Sequence, residues 1–161
     1  MKKLKIYLDT SVISHLEHPD APDKMADTHR LWAEIRRGAY DAVISDTTRL
    51  ELSNCPDEKF DTLTSYLSEI PFTVVPADES VLKIAEKFVD FGILRQKSLD
   101  DCRHIAAAIV SGCDAIVSWN FKHIVNRKTM NGVKAIAALE GYDDVLIYTP
   151  TILIGGEDDD S

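Results

Sequence analysis

Five short apolar segments alternate with longer amphipathic stretches along this chain of 161 residues, and the alternation limits the folds open to it. Short apolar segments separated by helical patterns are typical of βαβ units, which assemble into a parallel sheet covered by helices. We therefore predict an α/β fold, a three-layer α/β/α sandwich with a central, mainly parallel sheet. The predicted strands are KIYLD (5–9), DAVIS (41–45), FTVVP (72–76), DAIVS (114–118) and VLIYT (145–149).

Helical patterns occupy the stretches between these strands, and several of them end at a glycine. Gly38, Gly92, Gly112 and Gly141 each follow such a stretch, where a left-handed residue commonly ends a helix. No internal repeat or linker divides the chain, so we predict a single domain over residues 1–154 and an acidic disordered tail over residues 155–161. The predicted helices cover residues 11–17, 25–38, 46–54, 57–69, 78–90, 99–111 and 131–139.

Composition excludes several classes of protein. Hydrophobic residues make up 45% of the chain and charged residues 28%, which is typical of soluble globular proteins. No apolar segment has the length of a membrane span, and MKKLKIYLDTSV lacks the extended apolar region of a secretion signal, so we expect a cytoplasmic protein. Cys55, Cys102 and Cys113 share no CxxC spacing, which indicates free, buried thiols rather than disulfides or a zinc site.

Polar residues follow three of the predicted strands at the point where each strand ends. Asp9 follows the first strand, Ser45 and Asp46 end the second, and residues 118–120 (Ser-Trp-Asn) end the fourth. Because ligands of parallel α/β sheets bind outside the carboxyl ends of the strands, we expect the functional site at this edge.

Further oxygen donors are expected at the same edge. Glu51 lies in the second turn of the helix after the second strand, and Asp100 and Asp101 open the helix LDDCRHIAAAIVSG. The small, apolar face of that helix predicts close packing on the sheet, which would fix the position of Asp101. Asn120 completes a set of donors from four separate segments.

Each of these residues also has a purely local interpretation. Asp9 and Asp46 could be helix N-caps, and Glu51 could be a solvated helical residue. Residues 98–101 fit a helix capping box, in which Asp101 would only support the helix start. These local roles do not explain why the residues should converge.

Converging carboxylates repel one another unless a pKa rises or a cation binds between them. Carboxylate and amide oxygens suit Mg²⁺ or Mn²⁺, and such an ion can activate water and stabilise a leaving oxygen. The formal net charge of −9 argues against a protein that coats nucleic acid through a basic field, but not against a metal-dependent nuclease. We therefore predict phosphodiester hydrolysis.

Three segments in order, YLDTSVIS, ISDTTRLEL and DDCRHIAAAIVSGCDAIVSWNFKHI, resemble the PIN-domain family, in particular the VapC-like toxin ribonucleases of toxin–antitoxin pairs. The resemblance spans residues 5 to 124 and implies a PIN-like fold with an Mg²⁺- or Mn²⁺-dependent endoribonuclease site that hydrolyses RNA. It also implies an antitoxin protein as partner. Asn120 stands where the family has Asp or Asn, so this site carries one charge fewer than its aspartate members.

The resemblance implies a role for each matching residue. Asp9, Glu51 and Asp101 would bind the metal and, with Asn120, form the catalytic set. Thr10 and Ser118 match polar residues that support the metal shell, and Asp100 is an auxiliary candidate without a firm counterpart. The substrate-binding candidates are Lys122 and Arg127, with His123, Lys128, Arg103 and Arg49 as further cations that could contact phosphates.

Other interpretations stay open at this point. His104 could be a packed, hydrogen-bonded histidine or a catalytic base, and the cations could be ordinary solvated side chains. The same fold could serve as a catalytically weak, PIN-like protein-binding module. The amphipathic helices near 25–38 and 57–69 could form a homodimer surface or simply pack in the core.

Overall fold

The computed structural model describes residues 3–155. Its strands are β1 (Leu4–Leu8), β2 (Tyr40–Ser45), β3 (Phe72–Val75), β4 (Ala115–Val117) and β5 (Leu146–Tyr148). Its helices are α1 (Thr10–Ser14), α2 (Pro22–Arg36), α3 (Asp46–Ser53), α4 (Asp57–Leu67), α5 (Glu79–Asp90), α6 (Leu99–Val110), α7 (Arg127–Glu140) and α8 (Pro150–Gly155), with short 3₁₀ turns at His15–Glu17 and Gln96–Ser98.

The strands form one parallel sheet in the order β3-β2-β1-β4-β5. The chain adds β2 and β3 on one side of β1 and then crosses to place β4 and β5 on the other side. The strand order therefore reverses between β1 and β4, and a crevice forms at the carboxyl ends of strands at such a switch point.

Helices cover both faces of the sheet, as the prediction of a three-layer sandwich requires. Tyr7 points into the layer formed with α5, α6 and α7, whereas Ile6 and Leu8 point into the layer formed with α1, α2, α4 and α8. All three side chains are fully buried. Strands covered on both faces are apolar at successive positions rather than at alternate ones, which explains the continuous apolar segments in the sequence.

Helix α6 packs closely against the sheet because its buried face is built from small side chains. Ala106, Ala107 and Ala108 are buried together with Ile105 and Ile109. Their small volume lets the backbone of α6 approach its neighbours, as the sequence predicted. The first turn of α6 is consequently held at the carboxyl edge of the sheet.

The sequence predicted every strand and seven of the eight helices, with differences at the ends. All four glycines expected at helix ends have positive φ, between 71° and 85°. Helix α3 is capped by Ser45 through a capping box with Thr48, so Asp46 is not its N-cap. Asn126 caps α7 by accepting from the Thr129 amide and starts that helix before the predicted residue 131.

The short helix α8 was not predicted. Its six residues are too few to show a helical period, and it begins with a proline after Thr149, whose hydroxyl accepts from the Ile152 amide. The predicted acidic tail lies outside the described residues except for Gly155, which ends α8. The division into a domain over 1–154 and a tail stays a prediction.

The remaining expectations concern membranes and thiols. Within residues 3–155, no helix combines the length and the apolar character needed to cross a bilayer. All three cysteines are free; Cys102 and Cys113 are buried, whereas Cys55 is partly exposed.

Gly132 lies inside α7 where the helix meets Ile93, and this contact makes a testable prediction. A Cβ atom at Gly132 would lie 2.6 Å from Cδ1 and 2.8 Å from Cγ2 of Ile93. Overpacking of this kind costs about 1–3 kcal/mol, more than the roughly 1 kcal/mol that alanine gains in helix propensity. We expect Gly132→Ala to lower the free energy of unfolding, measured by urea denaturation.

The same substitution in an Ile93→Ala background is the matched control. With the isoleucine branches removed, Gly132→Ala should stabilise the protein by up to about 1 kcal/mol through helix propensity. An equal effect in both backgrounds would contradict the proposed contact.

Candidate active site

Asp9 is held at the switch point of the sheet, where β1 and β4 end side by side. Its carboxylate accepts hydrogen bonds from Ser11 Oγ (2.6 Å), Ser118 Oγ (2.5 Å) and the Val12 amide (3.2 Å). Asp9 is therefore the N-cap of α1, so the local interpretation of this residue is correct. Its side chain also lies at the predicted edge, next to the end of β4.

Burial disfavours the ionised form of the Asp9 carboxylate. The residue is only 3% exposed, and desolvation raises the pKa of Asp9 although the charge of His104 and the hydrogen bonds from Ser11 and Ser118 oppose the rise. A buried carboxylate with a raised pKa gains free energy when more positive charge comes close. Asp9 is thus a carboxylate positioned where a cation would be favourable.

Glu51 reaches the same edge from α3 and is not a freely solvated side chain. Its Oε1 atom accepts from Thr10 Oγ1 at 2.5 Å and from His104 Nε2 at 2.6 Å. Thr10 directly follows Asp9 in the chain, so its hydrogen bond joins Glu51 to the residue next to Asp9. Burial raises the pKa of Glu51. The hydrogen bond and charge of His104, together with the hydrogen bond from Thr10, outweigh this effect and leave the pKa below its ordinary value.

His104 lies in a buried hydrogen-bond chain. The imidazole Nδ1 shares a 2.6 Å hydrogen bond with the Tyr7 hydroxyl, which in turn lies 2.7 Å from Ser45 Oγ. The ring is 2% exposed, and its Nε2 atom donates to Glu51. This geometry matches the packed, hydrogen-bonded histidine that the sequence left as one alternative.

The charge of His104 is coupled to three carboxylates. Burial lowers the pKa of His104, but the hydrogen bond to Glu51 and the charges of Asp9, Glu51 and Asp101 outweigh it, so the pKa lies above its ordinary value. These carboxylates come from the end of β1, from α3 and from α6. The imidazole is therefore the common neighbour of the three predicted metal ligands.

Asp101 lies one turn before His104 on α6 and faces the loop after β4. Its Oδ2 atom accepts from His123 Nδ1 at 2.8 Å, and its Oδ1 atom accepts from Asn120 Nδ2 at 3.3 Å. Burial raises the pKa of Asp101, and repulsion from Glu51 adds to the rise, while His123 opposes it. Ser98 makes no side-chain hydrogen bond at the start of α6, so the capping-box interpretation of residues 98–101 is wrong.

The auxiliary candidates separate into two groups. Thr10 and Ser118 donate to Glu51 and Asp9 respectively, so both contact the carboxylates. Asp100 is exposed and pairs with Arg103 at 3.3 Å, away from the carboxylates.

Sequence reasoning gave no role to Ser11 or Tyr7 and expected a phosphate rather than a carboxylate as the partner of His123. The Ser11 hydroxyl donates to Asp9 and accepts from the Trp119 amide, Tyr7 orients His104, and His123 binds Asp101 rather than facing solvent. For Ser11 the signal was present, because a hydroxyl two residues after an N-cap carboxylate can reach it. The partners of Tyr7 and His123 are distant in sequence and gave no such signal.

The predicted phosphate contacts also differ in position. Lys122 is exposed and lines a cavity together with His123 and Lys128, whereas Arg127 is exposed at the start of α7 and does not line that cavity. Arg49 lies beside a separate apolar groove between α3 and α4.

The residue types fit a hard divalent cation, although the carboxylates are hydrogen-bonded to other side chains. Carboxylate and amide oxygens are the donors that Mg²⁺ and Mn²⁺ prefer. Within residues 3–155, however, no three His, Cys, Asp or Glu side chains are arranged as a metal-binding group. Glu51 and Asp101 are hydrogen-bonded to His104 and His123 through Oε1 and Oδ2, and a carboxylate has further lone pairs with which it can bind an ion at the same time.

Comparisons with known proteins identify structures with a similar fold. The chain is similar in structure to VapC20 of Mycobacterium tuberculosis, described as a Sarcin-Ricin loop cleaving toxin, with 15% identity, coverage of 73% of this chain and 92% of that chain, and a TM-score of 0.55. It is also similar to VapBC2 from Rickettsia felis bound to a DNA fragment from its promoter, with 11% identity, coverage of 91% and 98%, and a TM-score of 0.54. No curated protein matches the sequence.

At these identities the structural similarity establishes the fold. The sequence itself is matched over residues 6–122 by the model of the PIN-domain family. That range contains Asp9, Glu51, Asp101 and Asn120, which the resemblance in the sequence had indicated. The chain therefore belongs to the PIN-domain family.

Proposed function

We propose that this protein is an endoribonuclease that depends on Mg²⁺ or Mn²⁺, with Asp9, Glu51 and Asp101 as metal ligands. One observation carries the proposal: Asp9, Glu51 and Asp101 reach the carboxyl edge of the sheet from separate elements, and all three influence the charge of the buried His104, to which Glu51 is hydrogen-bonded. Membership of the PIN-domain family supports nuclease activity, and one structural neighbour is described as a Sarcin-Ricin loop cleaving toxin.

Each residue has a role that its contacts suggest. A bound ion would lower the pKa of a water ligand and offset charge on the phosphate. Ser11 and Ser118 hold the Asp9 carboxylate in place, and His104 orients Glu51. Asn120 is an uncharged hydrogen-bond donor to Asp101, so it adds no charge repulsion.

Thr10 keeps Glu51 close to Asp9. Asp100 is exposed, pairs with Arg103 and is not proposed as a ligand. Lys122 and Arg127 would contact phosphates of the RNA. In-line attack by the activated water is proposed to leave a 5′-phosphate and a 3′-hydroxyl.

The biological role proposed is that of the toxin in a type II toxin–antitoxin pair. Both structural neighbours carry VapC or VapBC names, which supports this role. The antitoxin would cover the carboxylates, and a homodimer and a cytoplasmic location are compatible with it.

Substitution of the carboxylates tests the activity. We expect Asp9→Asn and Asp101→Asn to lower Mn²⁺-dependent RNA cleavage at least about 100-fold, because each removes a charged ligand of the ion that offsets charge on the reacting phosphate. Gel analysis of cleaved RNA measures the rate, and circular dichroism verifies the fold. Asp100→Asn is the matched control in the same helical turn and should lower the rate only slightly. Full activity of both Asp9→Asn and Asp101→Asn would contradict the assignment.

Binding of the ion can be measured without RNA. Mn²⁺ at about 100 times its dissociation constant should stabilise the fold by about 2.7 kcal/mol, which a thermal-shift titration detects as a rise in Tm. Asp9→Asn should abolish the rise, and Asp100→Asn should preserve it. If Mn²⁺ leaves the Tm of the wild-type protein unchanged, the chain is instead a catalytically weak protein-binding module of PIN type.

A further inference from the structure

A cavity of about 650 Å³ lies beside the candidate active site. It is formed by the end of α5, the connection from α5 to α6, and the loop that leads from β4 into α7. We call it the basic cavity. Its lining residues that matter here are Arg95, Lys97, Lys122, His123, Lys128 and Ile93.

The charge of the basic cavity is opposite to that of the chain. Arg95, Lys97, Lys122 and Lys128 line it, and no aspartate or glutamate does. The whole chain has 27 acidic and 18 basic residues, so a lining with four cations and no carboxylate is a local reversal of sign. None of the four forms an ion pair with a carboxylate of residues 3–155. A polyanion is repelled by most of this surface and attracted here.

Hydrogen bonds order the loop that carries Lys122 and the start of α7, which carries Lys128. Asn126 caps α7 and also donates through Nδ2 to the carbonyl oxygens of Phe121 and Lys122. Thr129 Oγ1 donates to the carbonyl oxygen of His123. Because the backbone is already ordered, little conformational entropy is lost when an anion binds.

His123 connects the basic cavity to the carboxylates. Its ring lines the cavity, and its Nδ1 atom lies 2.8 Å from Asp101 Oδ2. A strand of nucleic acid that enters the cavity is therefore one side chain away from a proposed metal ligand. This continuity favours a substrate strand over an unrelated anion.

The walls suit a nucleotide rather than a bare phosphate. Val89, Ile93 and Leu94 supply apolar surface next to the cations, which matches a ribose and base beside a phosphate. The volume lies within the range of about 300–1,000 Å³ common for ligand pockets.

We propose that the basic cavity binds a nucleotide of single-stranded RNA next to the scissile bond, with Arg95 and Lys97 contacting its phosphate. This inference rests on the proposed ribonuclease function and adds a subsite to it. Arg95 and Lys97 were not among the phosphate contacts expected from the sequence, and Arg127 is not part of this subsite.

Binding is tested apart from cleavage. A short fluorescein-labelled single-stranded RNA is titrated with the protein in EDTA, and anisotropy gives the affinity at several salt concentrations. Arg95→Ala/Lys97→Ala should weaken binding about 10-fold or more at low salt and reduce the slope of log K against log[salt] by about 0.7 for each lost phosphate contact. Lys83→Ala/Lys134→Ala makes the same charge change on exposed positions of α5 and α7 outside the cavity and should have a much smaller effect.

The outcomes separate the subsite from the ribonuclease function. Equal weakening by the two pairs, or none, overturns the subsite even when the protein cleaves RNA. Failure of the wild-type protein to bind RNA also overturns the subsite. An acidic segment of a partner protein is then the ligand to test. Selective weakening by Arg95→Ala/Lys97→Ala supports the subsite, and it does so even if the protein fails to cleave RNA in Mn²⁺. In an active protein the pair should raise KM while kcat changes little.

Discussion

Burial of carboxylates at one edge of the sheet is the constraint on which the candidate site depends. Asp9 and Asp101 have raised pKa values because they are buried, and Glu51 escapes this only by binding the imidazole of His104. Hydrogen bonds with His104 and His123, together with the raised pKa of His104, offset part of this cost. A divalent cation offers the same compensation with more charge, which is why the arrangement points to a metal site.

The fold provides that constraint through topology. The reversal of strand order between β1 and β4 brings Asp9 and Ser118 side by side, although they are far apart in sequence. Close packing of α6 through its alanines then fixes Asp101 and His104 at the same edge. The acidic residues and the basic cavity are therefore neighbours, with His123 between them. In the proposed function, the basic cavity attracts RNA and the adjacent acidic site cleaves it.

Much of this was predictable because it depends on local pattern. Strands covered on both faces appear as continuous apolar segments, and the four glycines marked helix ends. The hydrogen-bond partners were not predictable, since Tyr7, His104 and Glu51 meet only after the chain has folded. The basic cavity could not be predicted for the same reason. Arg95 and Lys97 precede α6, whereas Lys122 and Lys128 follow β4, and no short sequence motif contains both pairs. Asp46 looked like an N-cap because Ser45, which caps the helix, is also the last residue of a strand.

The central claim is that an ion belongs among the three carboxylates, and anomalous diffraction from a crystal soaked in Mn²⁺ tests it most directly. We expect an anomalous peak about 2 Å from a carboxylate oxygen of Asp9, with carboxylate oxygens of Glu51 and Asp101 directed at the same ion. A fully soaked crystal with no peak beside Asp9, or with peaks only at other acidic surface residues, would contradict it.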